Sequence, residues 1–170
     1  MINEYEKYQL ISFIVDKSGA YKFTVLLPRV NVSLTEAVDA AISNNGIENK
    51  GEWTNTKLAL PKFNIENGMM LNSALCSMGV NKMFTNSSDF DRMLDSGDGL
   101  VVTEVFQSNY FSLCETGISA ASASKVEIDL IDIGTNREPP VITADRPFAF
   151  FLTESTTDLI LFEGVFSASK

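Results

Sequence analysis

Four nearly unbroken apolar runs limit the fold more than any other feature of this sequence. They are Leu10 to Val15, Tyr21 to Leu27, Phe148 to Leu152 and Leu159 to Phe166. Each pair flanks a short polar turn, Lys17-Ser18-Gly19 in the first and Thr153 to Asp158 in the second. Glycine supplies the positive φ that a tight turn requires. A strand with one wet face alternates apolar and polar residues, and these runs do not. They therefore predict two hairpins buried on both faces.

Between the hairpins the period changes. Leu34, Ala37, Val38, Ala41 and Ile42 fall on one stripe of a helix. Ser33 and Glu36 stand at capping-box spacing, each side chain placed to satisfy a backbone N–H at the helix start. Asn44-Asn45-Gly46 ends that helix. Ile47 to Asn55 reads as a polar loop holding a half-buried Trp53, and Thr56 to Phe63 reads as a strand with an edge or an irregular end at Pro61. Leu71, Ala74, Leu75 and Met78 predict a short packed helix stopped by Gly79. Asn86 to Gly99 reads as a surface loop, and Leu100 to Leu113 as a long strand. No βαβ alternation and no phosphate-binding glycine loop is present, so the class is α+β with antiparallel pairing dominant.

The chemistry that could make an enzyme is missing. The 170 residues include no histidine, which removes the usual Ser-His-Asp and Cys-His arrangements and the commonest metal ligand. Cys76 and Cys114 lie far apart and read as thiols without a redox or zinc role. Asp89, Asp91, Asp95 and Asp98 lack the closing glutamate of a calcium loop, so they read as a solvated acidic surface. No metal, cofactor or catalytic residue is expected. A net charge of −9 argues against nucleic acid or an anionic membrane as a partner. No apolar run is long enough for a membrane span, and the first residues do not form a signal peptide. Asn31-Val-Ser33 and Asn86-Ser-Ser88 fit the glycosylation pattern, which has meaning only in a secreted chain.

The stretch from Glu115 to Pro140 is the least ordinary. Its first part is small and nearly featureless, and it breaks at Gly134 and Pro139-Pro140. Long connections of this kind are functional or disordered. Ile118, Ala120, Ser122, Ser124, Val126, Ile128 and Leu130 share one parity, and none is charged. Lys125, Glu127 and Asp129 fall on the other. As a strand, the stretch would bury the first set and leave the second in water.

Six motifs in order then resemble the serpin family. Glu115-Thr-Gly-Ile-Ser-Ala-Ala resembles the hinge of a serpin reactive loop, with Glu115, Gly117, Ile118, Ala120 and Ala121 at the matching positions. Leu58-Ala-Leu-Pro-Lys-Phe63, Leu71 to Phe84, Val102-Thr-Glu-Val-Phe106, Ala144 to Leu152 and Leu161-Phe-Glu-Gly-Val165 resemble the family's later strands, helix and C-terminal signature. Ile118 stands where the family has Thr, Ser119 where it has Glu, and Gln107 where inhibitory members often carry a gating histidine.

The resemblance implies a partial serpin fold across residues 1–170, corresponding to the C-terminal portion of the domain and truncated of its N-terminal helical half. A small barrel-like buried sheet, the edge of a large sheet and two short helices are expected. It implies a serine protease as partner, a loop presented as pseudo-substrate, and an extracellular setting. Counting from the hinge puts the scissile bond at Ile131–Asp132, counting back from Pro139 puts it at Asn136–Arg137, and Arg137–Glu138 is a third candidate. The alternative is a non-inhibitory remnant that binds partners, itself included, by strand addition at the unpaired edge of the Leu100–Leu113 strand.

Overall fold

The computed structural model describes residues 1–44, 46–48, 54–85, 90, 93, 100–114, 117–119 and 141–167. Trp53 and the four aspartates between 89 and 98 lie outside these. The backbone forms two compact units, one of Met1–Phe63 with Leu113–Lys170 and the other of Asn64–Ser112.

The first unit is built on a five-stranded sheet. β1 (Ile2–Glu4), β2 (Tyr8–Ile14), β3 (Tyr21–Pro28), β9 (Phe148–Glu154) and β10 (Ile160–Phe166) lie side by side in that order. Every pairing is antiparallel, so both expected hairpins form, and β3 joins them through Val25 opposite Phe150. Register divides the side chains between two faces. One face is aromatic: Phe23 lies 5.7 Å from Phe150, Phe63 lies 5.3 Å from Phe150 and 4.8 Å from Phe166, and Phe148 lies 5.1 Å from Phe166. Burying each such ring contributes roughly 1.5–3 kcal/mol. The other face carries Tyr8, Leu10, Leu26 and Ala149, which pack with Ala37 and Ala41 of α1 (Leu34–Ser43). Ser12 and Thr24 are buried on this second face, where their hydroxyls share a 2.8 Å hydrogen bond.

The capping box at the start of α1 is present as read: Ser33 Oγ accepts from the Glu36 N–H, and the Glu36 carboxylate accepts from the Ser33 N–H. Glu36 is held below its ordinary carboxylate value mainly by the Ser33 hydroxyl. Gly46, at φ +79, donates its N–H to Ala41 O and closes the helix end. The buried stripe differs from the expected one by one exchange of residues. Ile42 is 69% exposed, and Ala40 packs against the core cluster.

Both hairpin turns are tied by carboxylates. Asp16 accepts from the Ser18 hydroxyl and N–H and from the Tyr21 N–H, and these bonds lower its pKa. Glu154 accepts from the N–H groups of Thr156 and Thr157 and from the Thr157 hydroxyl, which brings it down to about 2. The turns are linked to each other by Ser155 N–H to Ala20 O and by the 2.7 Å Lys22–Asp158 ion pair.

Two expectations need correction here. The strand read over Thr56 to Phe63 is two strands, β4 (Lys57–Ala59) and β5 (Phe63–Met70), with Pro61 between them. β4 pairs in parallel with β8 (Val141–Thr143), extended by Ala144 N–H to Ala59 O. The second hairpin is buried only along β9. On β10, Ile160, Leu161 and Val165 are 43%, 42% and 54% exposed, because β10 is the last strand of its sheet.

The second unit contains most of β5, α2 (Asn72–Ser77), a 3₁₀ turn at Lys82–Phe84, and β6 (Phe106–Cys114) up to Ser112. No residue of α2 is buried, and Met78 is 72% exposed, so the helix expected to pack does not bury its stripe.

Candidate functional site

The strand that leads into the Glu115–Pro140 stretch starts later than its composition suggests. Leu100 to Val105 is not strand, and β6 begins at Phe106. The reason is competition for backbone groups. Val102 donates its N–H to Met83 O, and Val105 O accepts from the Leu71 N–H. Asn72 completes the capture: its Oδ1 accepts from the Val105 N–H and its Nδ2 donates to Thr103 O. The 3₁₀ turn and the start of α2 thus use groups that would otherwise extend the ladder.

β6 lies between β5 and β7 (Gly117–Ser119) in a three-stranded sheet. Ser112 Oγ donates to Asn64 Oδ1 at 2.6 Å, and Asn109 Nδ2 donates to Asn67 Oδ1 at 3.0 Å. Moving forward along β5 from Asn64 to Asn67 moves the partner backward along β6, from Ser112 to Asn109, which makes this pairing antiparallel. Gln107 donates Nε2 to Asn109 Oδ1 at 2.8 Å. Gln107, Asn109 and Asn67 therefore form an amide chain. It was not anticipated, because the run from Asn64 to Met70 carries no apolar alternation that would have marked β5. Phe106 and Tyr110 point to the other side of β6 and are exposed.

The expected hinge is only partly within view. The backbone of Gly117 and Ile118 forms β7, beside β6 on the side away from β5. Glu115, Ala120, Ala121, Ile131, Asp132, Asn136 and Arg137 lie outside the described residues. The edge of β6 expected to be unpaired is thus occupied by β7, although β7 is 3 residues long against 9 for β6. Cys76 is exposed and Cys114 half-buried, and neither is in a disulfide. Among the described residues no group of acidic, cysteine or histidine side chains could hold a metal.

Comparison with known proteins is decisive at this point. The family model described as serpin, serine protease inhibitor, matches residues 2–168. The chain belongs to the serpin family. Human Serpin B10 is 34% identical over 158 residues, covering 87% of this chain and 38% of that protein. Antichymotrypsin-2 of Bombyx mori is 32% identical over 153 residues, covering 88% of this chain and 40% of that protein. The crystal structure of Serpin48 from Tenebrio molitor has the same fold, with a TM-score of 0.70 at 21% identity over 99% of this chain and 44% of that one. The chain therefore spans about two fifths of the length of these relatives. Its mostly antiparallel sheets and two helices are a partial serpin fold. Serpins are commonly serine protease inhibitors, and some members are non-inhibitory.

Proposed function

We propose that this chain is the loop-bearing, C-terminal portion of a serpin-type serine protease inhibitor, and that residues 115–140 are the pseudo-substrate it presents. One observation carries the reading: β6 runs directly into the hinge-like sequence, and β7 begins the stretch as a strand alongside β6. A loop that an attacking protease can engage and that can also add to a sheet needs this connection. The uncharged parity of Ile118, Ala120, Ser122, Ser124, Val126, Ile128 and Leu130 supports the second property.

Insertion between two strands needs a second flanking strand beyond β6, and on this reading that strand belongs to the N-terminal portion of the domain. Alone, the chain should act as a substrate. Incubation with trypsin and with chymotrypsin, followed by denaturing gel and intact-mass analysis, tests both statements. The expected first cut falls within residues 115–140, by trypsin at Arg137–Glu138, whereas a cut at Ile131–Asp132 or Asn136–Arg137 is read with a protease that accepts Ile or Asn before the bond. First cuts confined to other segments would overturn the loop assignment. An adduct with protease that survives SDS would overturn the substrate expectation.

A second reading is that the chain is a non-inhibitory binding module. The exposed apolar side chains on β10 favour it. It predicts binding of a partner with residues 115–140 left uncut.

A further inference from the structure

The two faces of the β5–β6 pair are finished very differently. One register runs along the pair: Leu71 N–H donates to Val105 O, and the side chains of Asn67 and Asn64 meet those of Asn109 and Ser112. On one face Phe111 of β6 is buried, which makes it the core side. On the opposite face Phe106 is 63% exposed, Tyr110 53% and Met70 of β5 50%. An antiparallel pair with one packed face normally turns polar residues to water on the other, and this one turns out two aromatic rings. Leu71 and Val105 are a hydrogen-bonded pair, so the register sets Glu66 opposite Tyr110 and Met70 opposite Phe106 as non-hydrogen-bonded pairs, whose side chains stand closer. Phe106 also lies over Gly68, where an added Cβ would come 2.5 Å from its Cζ. Glu66 is the only charged residue of either strand, is exposed, and has no ion-pair partner among the described residues.

We infer that this face of β5 and β6 is a docking site for an arginine-bearing segment of a partner protein. Charge and ring chemistry together select the occupant. The exposed faces of Phe106 and Tyr110 attract a cation, and a planar guanidinium can stack on them. The Glu66 carboxylate beside Tyr110 accepts the N–H groups of the same guanidinium. Aromatic residues, methionine and arginine are the types enriched where proteins meet. The net charge of −9 draws a basic segment towards the chain. A second copy of this chain fits less well, because it would bring two bodies of net charge −9 together and offer this face no cation from its own. The inference concerns the side away from the buried Phe111, and rests neither on residues 115–140 nor on protease inhibition.

Fluorescence anisotropy on the full chain is the test. The probe is a short labelled peptide of alternating arginine and serine. It should bind, and Tyr110→Leu, which keeps apolar bulk but removes the ring face, should weaken it about threefold. Glu66→Gln should weaken it by a similar factor. Asp39→Asn removes the same charge from the exposed side of α1 and should leave the affinity unchanged. Phe106→Leu is the second ring variant should Tyr110→Leu unfold. No binding, or ring variants that bind as the parent chain does, would overturn the proposal. Equal weakening by Asp39→Asn and Glu66→Gln would reduce the binding to net charge and overturn it as well. A dimer on size exclusion that Tyr110→Leu dissolves would assign the face to a second copy, with the same consequence.

Discussion

The five-stranded sheet and the β5–α2–β6 unit were made from similar material and ended differently. In the sheet, two apolar hairpins meet through β3 and β9, and Phe23, Phe148 and Phe150 are shut away from water. In the other unit, Met69, Met70, Met78, Phe106 and Tyr110 are exposed, and α2 buries nothing. Apolar content does not make a core by itself. A core needs a second apolar layer within reach, and the sheet has one in Phe63 on one face and α1 on the other.

The largest expected effect sharpens that contrast directly. Phe150→Ala should cost about 3–5 kcal/mol, as aromatic-to-alanine changes in closed cores do. Met78→Ala at the C-cap of α2 should stay within about 0.5 kcal/mol. Urea unfolding midpoints measure both, and similar shifts for the two would break the comparison.

A matched pair of glycines comes next. A Cβ on Gly164 would lie 2.5 Å from Phe150 Cζ, and one on Gly68 would lie 2.5 Å from Phe106 Cζ. The contact is the same but the surroundings are not. Phe150 is packed on both sides and cannot yield, whereas Phe106 is 63% exposed and can swing away. Gly164→Ala should cost about 1–3 kcal/mol through overpacking. Gly68→Ala should cost far less, and the two melting temperatures decide it.

Ser33→Ala removes the cap that holds α1 over the sheet and should cost about 1 kcal/mol. Far-ultraviolet thermal melts check the size. Acid provides the mildest probe. Glu154 titrates at about 2 when folded against an ordinary 4.5, so its carboxylate stabilises the β9–β10 turn above the ordinary value. That contribution is lost as pH falls from about 4.5 towards 2. Asp16 and Glu36 are lowered too, and act in the same direction. A pH series of midpoints for Glu154→Gln should therefore fall less steeply in acid than that of the parent chain.

How much of this was legible in the sequence depended on how local the cause was. The Ser33–Glu36 cap and the Lys17-Ser18-Gly19 turn are decided within a few residues, and both appeared as read. The parallel pairing of Lys57–Ala59 with Val141–Thr143 joins distant segments, and no local pattern announces it. Pro61 was seen as a disturbance, but only the partner strands show that it separates two sheets. The late start of β6 was hidden because the composition of Val101, Val102 and Val105 says strand. Asn72 and Met83 then take their backbone groups. Of the site, Gly117 and Ile118 were placed at the entrance of the stretch and β7 begins there, whereas the Gln107–Asn109–Asn67 amide chain had no sequence signal.

Native-state hydrogen exchange along the whole chain tests the central contrast most directly. The account predicts that amides of β2, β3 and β9 open only with global unfolding, while those of α2 and β5 exchange through local opening at rates at least about a hundredfold faster. Equal protection of α2 and β3 would contradict it.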